Sequence, residues 1–256
     1  MPVPEHIFRQ YDIRGLVDNE LTPEVSEGVG RAYATLAAQR LGRHPRIAVG
    51  QDNRPSSPAL AEGLIGGLNS SGADVVDIGT VPTPTLYWAE KTLPTDGGIQ
   101  VTGSHNPPEW NGIKMTLQGM SVYGDQIQAL KHAILERDFG EGEGASERVD
   151  VLGDYVADLA GRFDLARSVK VVLDCGNGVG SLVGVELLEA LGAEVVPLYC
   201  ESDGTFPNHH PDPTVDENLV DLIDTVRREG AELGIGFDGD ADRIGAVDEH
   251  GRRAAR

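Results

Sequence analysis

Ser104 and His105 stand side by side in Thr-Gly-Ser-His-Asn-Pro-Pro, residues 102–108, and Lys114 follows ten residues after the serine. A hydroxyl, an imidazole and an amine at this spacing suit acyl or phosphoryl chemistry. Pro107 and Pro108 keep the stretch out of a helix interior or a central strand. Ser104 is a weak nucleophile without a base. No Gly-x-Ser-x-Gly elbow surrounds it, and neighbours on an extended segment point to opposite sides, which would turn His105 away from Ser104. A serine that carries a phosphate fits better. Its phosphate oxygens could complete a metal shell, with Lys114 as acid or base toward a hydroxyl; a plain loop serine is the alternative.

The metal shell is suggested by Asp238, Asp240 and Asp242, which alternate directly after the apolar run Leu233 to Phe237. Three carboxylates this close repel unless a cation neutralises them, and hard oxygen ligands suit Mg²⁺ or Ca²⁺. Gly239 lets the chain curl so that the oxygens can converge. A solvated acidic turn is the competing reading. Glu249 falls at the twelfth position from Asp238, as in an EF-hand loop, but the sixth position holds Arg243 rather than Gly and the flanks are β-like. Arg243 beside a metal cage makes more sense as an anion ligand. Near the N-terminus, Arg9 and Arg14 bracket Tyr11 and Asp12. On residue types alone this is a polar segment with one arginine in an internal ion pair. His209-His210 beside Pro and Asp reads as a loop, and no Cys/His spacing would hold zinc.

The elements that must position these loops alternate between strand and helix. Thr22-Pro23-Glu24 opens a helix that runs to about Gly42. Arg46 to Gly50 is a short strand, a helix starts at Ser56-Ser57-Pro58 and stops at Gly72, and the strand 73–79 follows. A helix after Val81-Pro82, then strand, loop and strand through Ser104, then a helix carrying Ile127, Leu130 and Ile134 complete the first block. Gly140 to Asp150, rich in Gly and Glu without periodicity, reads as a linker. The second block repeats the first: the strand-turn-helix-strand order of 46–84 returns in 170–207, down to the matching Gly-Ala-acid-Val-Val strands. The expected fold is α/β, with two similar, duplicated domains of mixed, largely parallel sheets flanked by helices. Their boundaries are 1–140, a linker at 141–149, and 150–256.

Composition narrows the classes. A chain of 256 residues with 39% hydrophobic and 24% charged residues is globular. No apolar run approaches the roughly 18 residues of a membrane span, and no signal peptide is evident, so a cytoplasmic location is expected. A net charge of −20 argues against nucleic acid as partner, although a few local Arg and Lys can hold one phosphate. Cys175 and Cys200 read as reduced, buried residues.

Taken together and in this order, Tyr-Asp-Ile-Arg-Gly at 11–15, Thr-Gly-Ser-His-Asn-Pro-Pro-Glu-Trp-Asn-Gly-Ile-Lys at 102–114 and Asp-Gly-Asp-Ala-Asp-Arg at 238–243 resemble the α-D-phosphohexomutase family, which includes bacterial phosphomannomutase/phosphoglucomutase. The stretches 171–180 and 206–213 are also similar to its second domain. The resemblance implies Mg²⁺-dependent phosphoryl transfer between the 1- and 6-positions of a mannose or glucose phosphate, through a phosphoserine and a hexose 1,6-bisphosphate. It implies that Ser104 carries the phosphate, that Ser104, Asp238, Asp240 and Asp242 hold the metal, and that Lys114 is the general acid/base. Arg14, His105 and Arg243 would support the transferring group. Family members carry two further domains, which choose the sugar and grip the second phosphate. The expectation is therefore an incomplete mutase, domains I and II only, whose missing domains a longer parent chain supplies. The alternatives are a phosphatase-like activity, or a non-catalytic metal- or sugar-phosphate-binding module that needs a partner chain.

Overall fold

A computed structural model describes residues 3–254; positions 1–2 of the first expected domain and 255–256 of the second lie outside the described residues. The first sheet is mixed. Strand β1 (Ile13–Leu16) precedes helix α1 (Pro23–Leu41), β2 (Arg46–Gln51), α2 (Ser57–Ser70), β3 (Asp74–Thr80), α3 (Thr83–Thr92), β4 (Gly97–Val101), β5 (Trp110–Leu117), β6 (Met120–Ser121), α4 (Asp125–Glu136) and β7 (Ser146–Arg148). The strand order is β1-β5-β4-β2-β3-β7, with β6 on β5. Strands β4, β2, β3 and β7 run parallel, while β1 and β4 flank β5 antiparallel.

Local chemistry accounts for these elements. Thr22 caps α1 by accepting the Val25 amide, and Gly42, in the left-handed region, ends it. Helices α1 and α2 lie against each other closely enough that a Cβ at Gly67 would fall 2.0 Å from the Glu27 carbonyl oxygen, so the interface requires glycine. Ile47, Val49, Ile99, Val101, Ile113 and Met115 of the sheet pack with Val29, Tyr33, Leu64 and Leu68 of these helices as the main core. A smaller core on the opposite face joins Ala48, Val76 and Ile78 to Leu86 and Val151.

The second unit holds α5 (Leu152–Ala160), β8 (Lys170–Asp174), α6 (Gly184–Ala190), β9 (Glu194–Leu198), α7 (Val220–Glu229), β10 (Leu233–Phe237) and β11 (Ile244–Asp248). Its sheet order is β11-β10-β8-β9, with only the β10/β11 pair antiparallel. This matches β5-β4-β2-β3, strand for strand and direction for direction, so the sequence repeat is also a topological one. Leu222 and Val226 of α7 cover one face. The two units meet at Trp88, which packs edge-on against Tyr155, ring centroids 5.9 Å apart, and donates to Asp158 at 2.6 Å.

One stretch differs from the sequence reading. The Gly- and Glu-rich stretch is not bare linker: residues 146–148 pair with β3 as its edge strand, and Gly144 donates to the Asn69 carbonyl. All three of its residues are exposed, so no buried face gives a side-chain periodicity to read, and ion pairs such as Arg148 with Asp77 add to the backbone pairing. The tail after Gly251 turns back on β11, with Ala254 donating to the Ala246 carbonyl at 2.9 Å.

Candidate functional site

Ser104 lies in the loop that leaves β4, with φ +52°, and is 1% exposed. A left-handed backbone is costly for serine. It is held there by its own amide, which donates to Thr102 Oγ1 at 2.8 Å, and above all by Arg54. The Arg54 guanidinium has no solvent exposure. Nη2 donates to the carbonyls of Ser104 (2.8 Å) and Asn106 (2.6 Å), and Nη1 to those of Pro107 (2.7 Å) and Trp110 (3.1 Å). Nε reaches Asp52 Oδ2 at 3.1 Å, and Asp52 also accepts the Gly103 amide at 3.0 Å. One buried ion pair therefore clamps the serine loop.

The twist at Ser104 corrects one expectation. On an extended chain His105 would point away from Ser104, but with φ positive the His105 Nδ1 comes to 3.3 Å from Ser104 Oγ. Burial, with the positive charges of Arg243 and Arg14 added, holds the His105 imidazolium below its usual pKa, which favours the neutral ring.

The acidic loop leaves β10 at the equivalent place in the second unit. Asp238 and Asp240 are fully buried, and one ligand atom from each of Asp238, Asp240 and Asp242 falls within 4.8 Å of the others. Asp238 Oδ1 accepts the amides of Asp242 and Arg243, both at 3.1 Å, so the loop closes on its own first carboxylate. The flanks are the strands β10 and β11, and Glu249 instead faces His250.

The two loops touch across 134 residues of sequence: Ser104 Oγ donates to Asp238 Oδ2 at 3.1 Å. From β5, Lys114 Nζ reaches Asp240 Oδ2 (2.7 Å) and Asp242 Oδ2 (2.6 Å). From the first turn of α3, Thr83 Oγ1 donates to Asp240 Oδ2 at 2.6 Å, and the Thr83 amide to the Asp240 carbonyl. Arg14, on β1, reaches the serine loop through Asn106 Oδ1 at 2.6 Å and is itself paired with Asp12. The Arg243 side chain is exposed and makes no hydrogen bond among the described residues.

Charge in this cluster is unevenly shared. Burial, with Asp240 and Asp242 alongside, pushes the Asp238 carboxyl up to about 8. Burial also works to raise Asp240, but Lys114 and the hydrogen bonds it receives pull it below the usual range. Lys114 is lowered by burial and raised more by its two carboxylates, so it stays an ammonium. At neutral pH the three aspartates keep a proton and an ammonium among them.

The donor set fits a hard divalent cation. It is all oxygen, carries excess negative charge, and leaves Asp240 Oδ1 buried with no hydrogen-bond partner. Arg54, Asp52, Thr83 and Asn106 were not singled out in the sequence. Arg54 and Asp52 sit in the polar turn after β2, but the partners of Arg54 are mostly backbone carbonyls, which leave no mark on residue types.

Comparison with known proteins places the chain. The pattern of phosphoglucomutase/phosphomannomutase alpha/beta/alpha domain I matches residues 5–141, and that of domain II matches residues 153–251. A phosphomannomutase/phosphoglucomutase of Pseudomonas aeruginosa is 48% identical over 250 residues, covering 97% of this chain and 53% of that protein. A phosphoglucomutase of Neisseria gonorrhoeae is 44% identical over 252 residues, 97% of this chain and 54% of that protein. The crystal structure of a phosphoglucomutase/phosphomannomutase family protein from Burkholderia thailandensis superposes with a TM-score of 0.94 at 42% identity, over 98% of this chain and 56% of that one. The chain thus spans about half the length of the relatives it matches. No helix among the described residues is long and apolar enough to cross a membrane.

Proposed function

Because the chain belongs to the phosphoglucomutase/phosphomannomutase family, we propose that it carries the phosphoserine and metal half of a hexose-phosphate mutase site, working in the cytoplasm on hexose phosphates and a hexose 1,6-bisphosphate. The observation that carries the reading is the Ser104 Oγ contact with Asp238 Oδ2 at 3.1 Å, beside a carboxylate oxygen of Asp240 that lacks a partner. Ser104, Asp238, Asp240 and Asp242 would hold Mg²⁺. When bound, Mg²⁺ supplies positive charge to the phosphoryl oxygens, the main requirement of such a transfer.

The residues of the chain do the rest. In the transfer, the bond from phosphorus to Ser104 Oγ breaks as one forms to a sugar hydroxyl oxygen. The hydroxyl proton passes to a base, and Ser104 Oγ regains a proton when it leaves. Lys114 is the candidate base and acid. Held by Asp240 and Asp242 it is an ammonium; once those carboxylates are engaged elsewhere, burial is the influence that remains, and it draws the amine toward neutrality. The Arg54 clamp keeps Ser104 Oγ facing the acidic loop, and Arg14 and Arg243 add positive charge at the rim. Selection of mannose or glucose phosphate is assigned to the remaining length of the relatives, outside the matched residues.

The test is the intact mass of the protein before and after incubation with glucose 1,6-bisphosphate and Mg²⁺. A gain of one phosphate, absent in Ser104→Ala, is expected. No gain in folded wild-type protein, or an equal gain in Ser104→Ala, overturns the assignment.

A further inference from the structure

The chain has two cysteines, and the fold brings them together. Cys175 and Cys200 follow the C-terminal ends of β8 and β9, neighbouring parallel strands, and the Cys175 amide donates to the Leu198 carbonyl at 3.1 Å. Both thiols are free, and their sulfurs are 3.2 Å apart. Their surroundings differ. Cys175 is fully buried, whereas Cys200 is half-buried and lines a cavity of about 510 Å³ with Asn177, Tyr199, Glu201 and Asn208.

We propose that Cys175 and Cys200 form a reversible thiol–disulfide pair, oxidised by a low-molecular-weight disulfide that enters through this cavity. Access sets the order of events. The Cys200 thiolate attacks one sulfur of the small disulfide, forms a mixed disulfide and releases one thiol. Cys175 then gives up its proton and attacks Cys200 Sγ, which releases the second thiol and closes the internal bond. The protein loses two hydrogens, and the small disulfide is reduced to two thiols. The contact with Cys200, together with burial, holds Cys175 as the thiol until the second step, whereas the same contact shifts Cys200 the other way, toward the thiolate.

The pair also lies where closure can be felt. Cys175 leads into Gly176 and Asn177, both at positive φ, and then to Val179, whose amide donates to the Gly239 carbonyl of the acidic loop at 3.1 Å. Six residues beyond Cys200, the Phe206 ring lies 5.0 Å from the Arg54 guanidinium that clamps the serine loop. Drawing the sulfurs in from 3.2 Å to a bond of about 2.05 Å would move the segments that carry these contacts.

The bond itself does not depend on the phosphoserine reading, and neither does its test. The full chain is equilibrated with glutathione at rising oxidised-to-reduced ratios, quenched by alkylation, and examined by intact mass and peptide mapping. Both alkylatable thiols should disappear together, with no retained glutathione, and return on reduction. Native Cys175→Ser should retain one glutathione on Cys200, and native Cys200→Ser none. Persistence of both thiols under excess oxidised glutathione, or a glutathione that stays on Cys200 in the wild-type chain, overturns the proposal.

Discussion

Arg54→Lys is the sharpest test of how the serine loop is held. The substitution keeps a positive charge beside Asp52, so no bare charge is left behind. What it removes is the fork: the guanidinium directs donors at Asp52 Oδ2 and at four backbone carbonyls, those of Ser104, Asn106, Pro107 and Trp110. An ammonium has three N–H donors radiating from one point, so at least two of the five bonds are lost. Asp52 keeps the Gly103 amide and Pro107 that of Trp110, whereas the Ser104 and Asn106 carbonyls, the pair at Nη2, have no other donor among the described residues. Each orphaned buried acceptor costs about 1–3 kcal/mol, which makes the expected loss about 2–6 kcal/mol. That is a large fraction of the ~5–15 kcal/mol available to a folded domain. Urea unfolding followed by tryptophan fluorescence reads it, since Trp110 sits at the end of the clamped loop. A stability within about 0.5 kcal/mol of wild type, the range of an ordinary surface substitution, would refute the clamp.

Two further outcomes follow from the acidic loop. Asp238 keeps its proton in the folded state up to about pH 8, while an unfolded aspartate loses its proton near pH 4. Between those values the folded state binds more protons, so this residue's contribution to stability should fall as pH rises through the window. In chelator-treated protein, urea midpoints should therefore fall more steeply from pH 4 to 8 in wild type than in Asp238→Asn, and parallel curves would reject the shift. Gly239→Ala places a Cβ 2.4 Å from the Ser104 carbonyl oxygen, a backbone atom that the Arg54 clamp prevents from yielding. Thermal unfolding should show a loss of about 1–3 kcal/mol, as for other overpacked sites, together with weaker Mg²⁺ binding by calorimetry; unchanged values for both would mean that the two loops are not in rigid contact.

The residues that identify themselves by type were legible in the sequence. Three alternating aspartates after an apolar run, and a serine and a histidine before two prolines, announce loops with chemistry, and the Thr22 and Gly42 signals mark the ends of α1. Arg54 was not legible, because an arginine that spends its donors on carbonyls leaves no partner to find among side chains. His105 was read as facing away from Ser104 because alternation assumes an extended chain, and only a contact network such as Arg54 with Asp52 can force φ to +52° at a serine. Residues 146–148 form an edge strand on β3 with no buried face, a signal that composition does not carry.

Since β4 and β5 correspond to β10 and β11, the serine loop and the acidic loop are the same connection in two copies of one unit, each leaving the C-terminal end of a parallel strand where open α/β sheets place their ligands. Neither copy alone has a complete set of groups: one supplies a hydroxyl, an imidazole and an ammonium, the other three carboxylates. They become a site only because the copies face each other closely enough for Ser104 to reach Asp238, for Lys114 to reach Asp240 and Asp242, and for Thr83 to hold Asp240. The excess negative charge of one loop is thus balanced by groups from the other, and it is the pairing of the two units that sets the charge state of both. A substitution at the contact, such as Gly239→Ala, should therefore perturb the proton shared by the aspartates as well as the position of the serine, although it changes no charged residue.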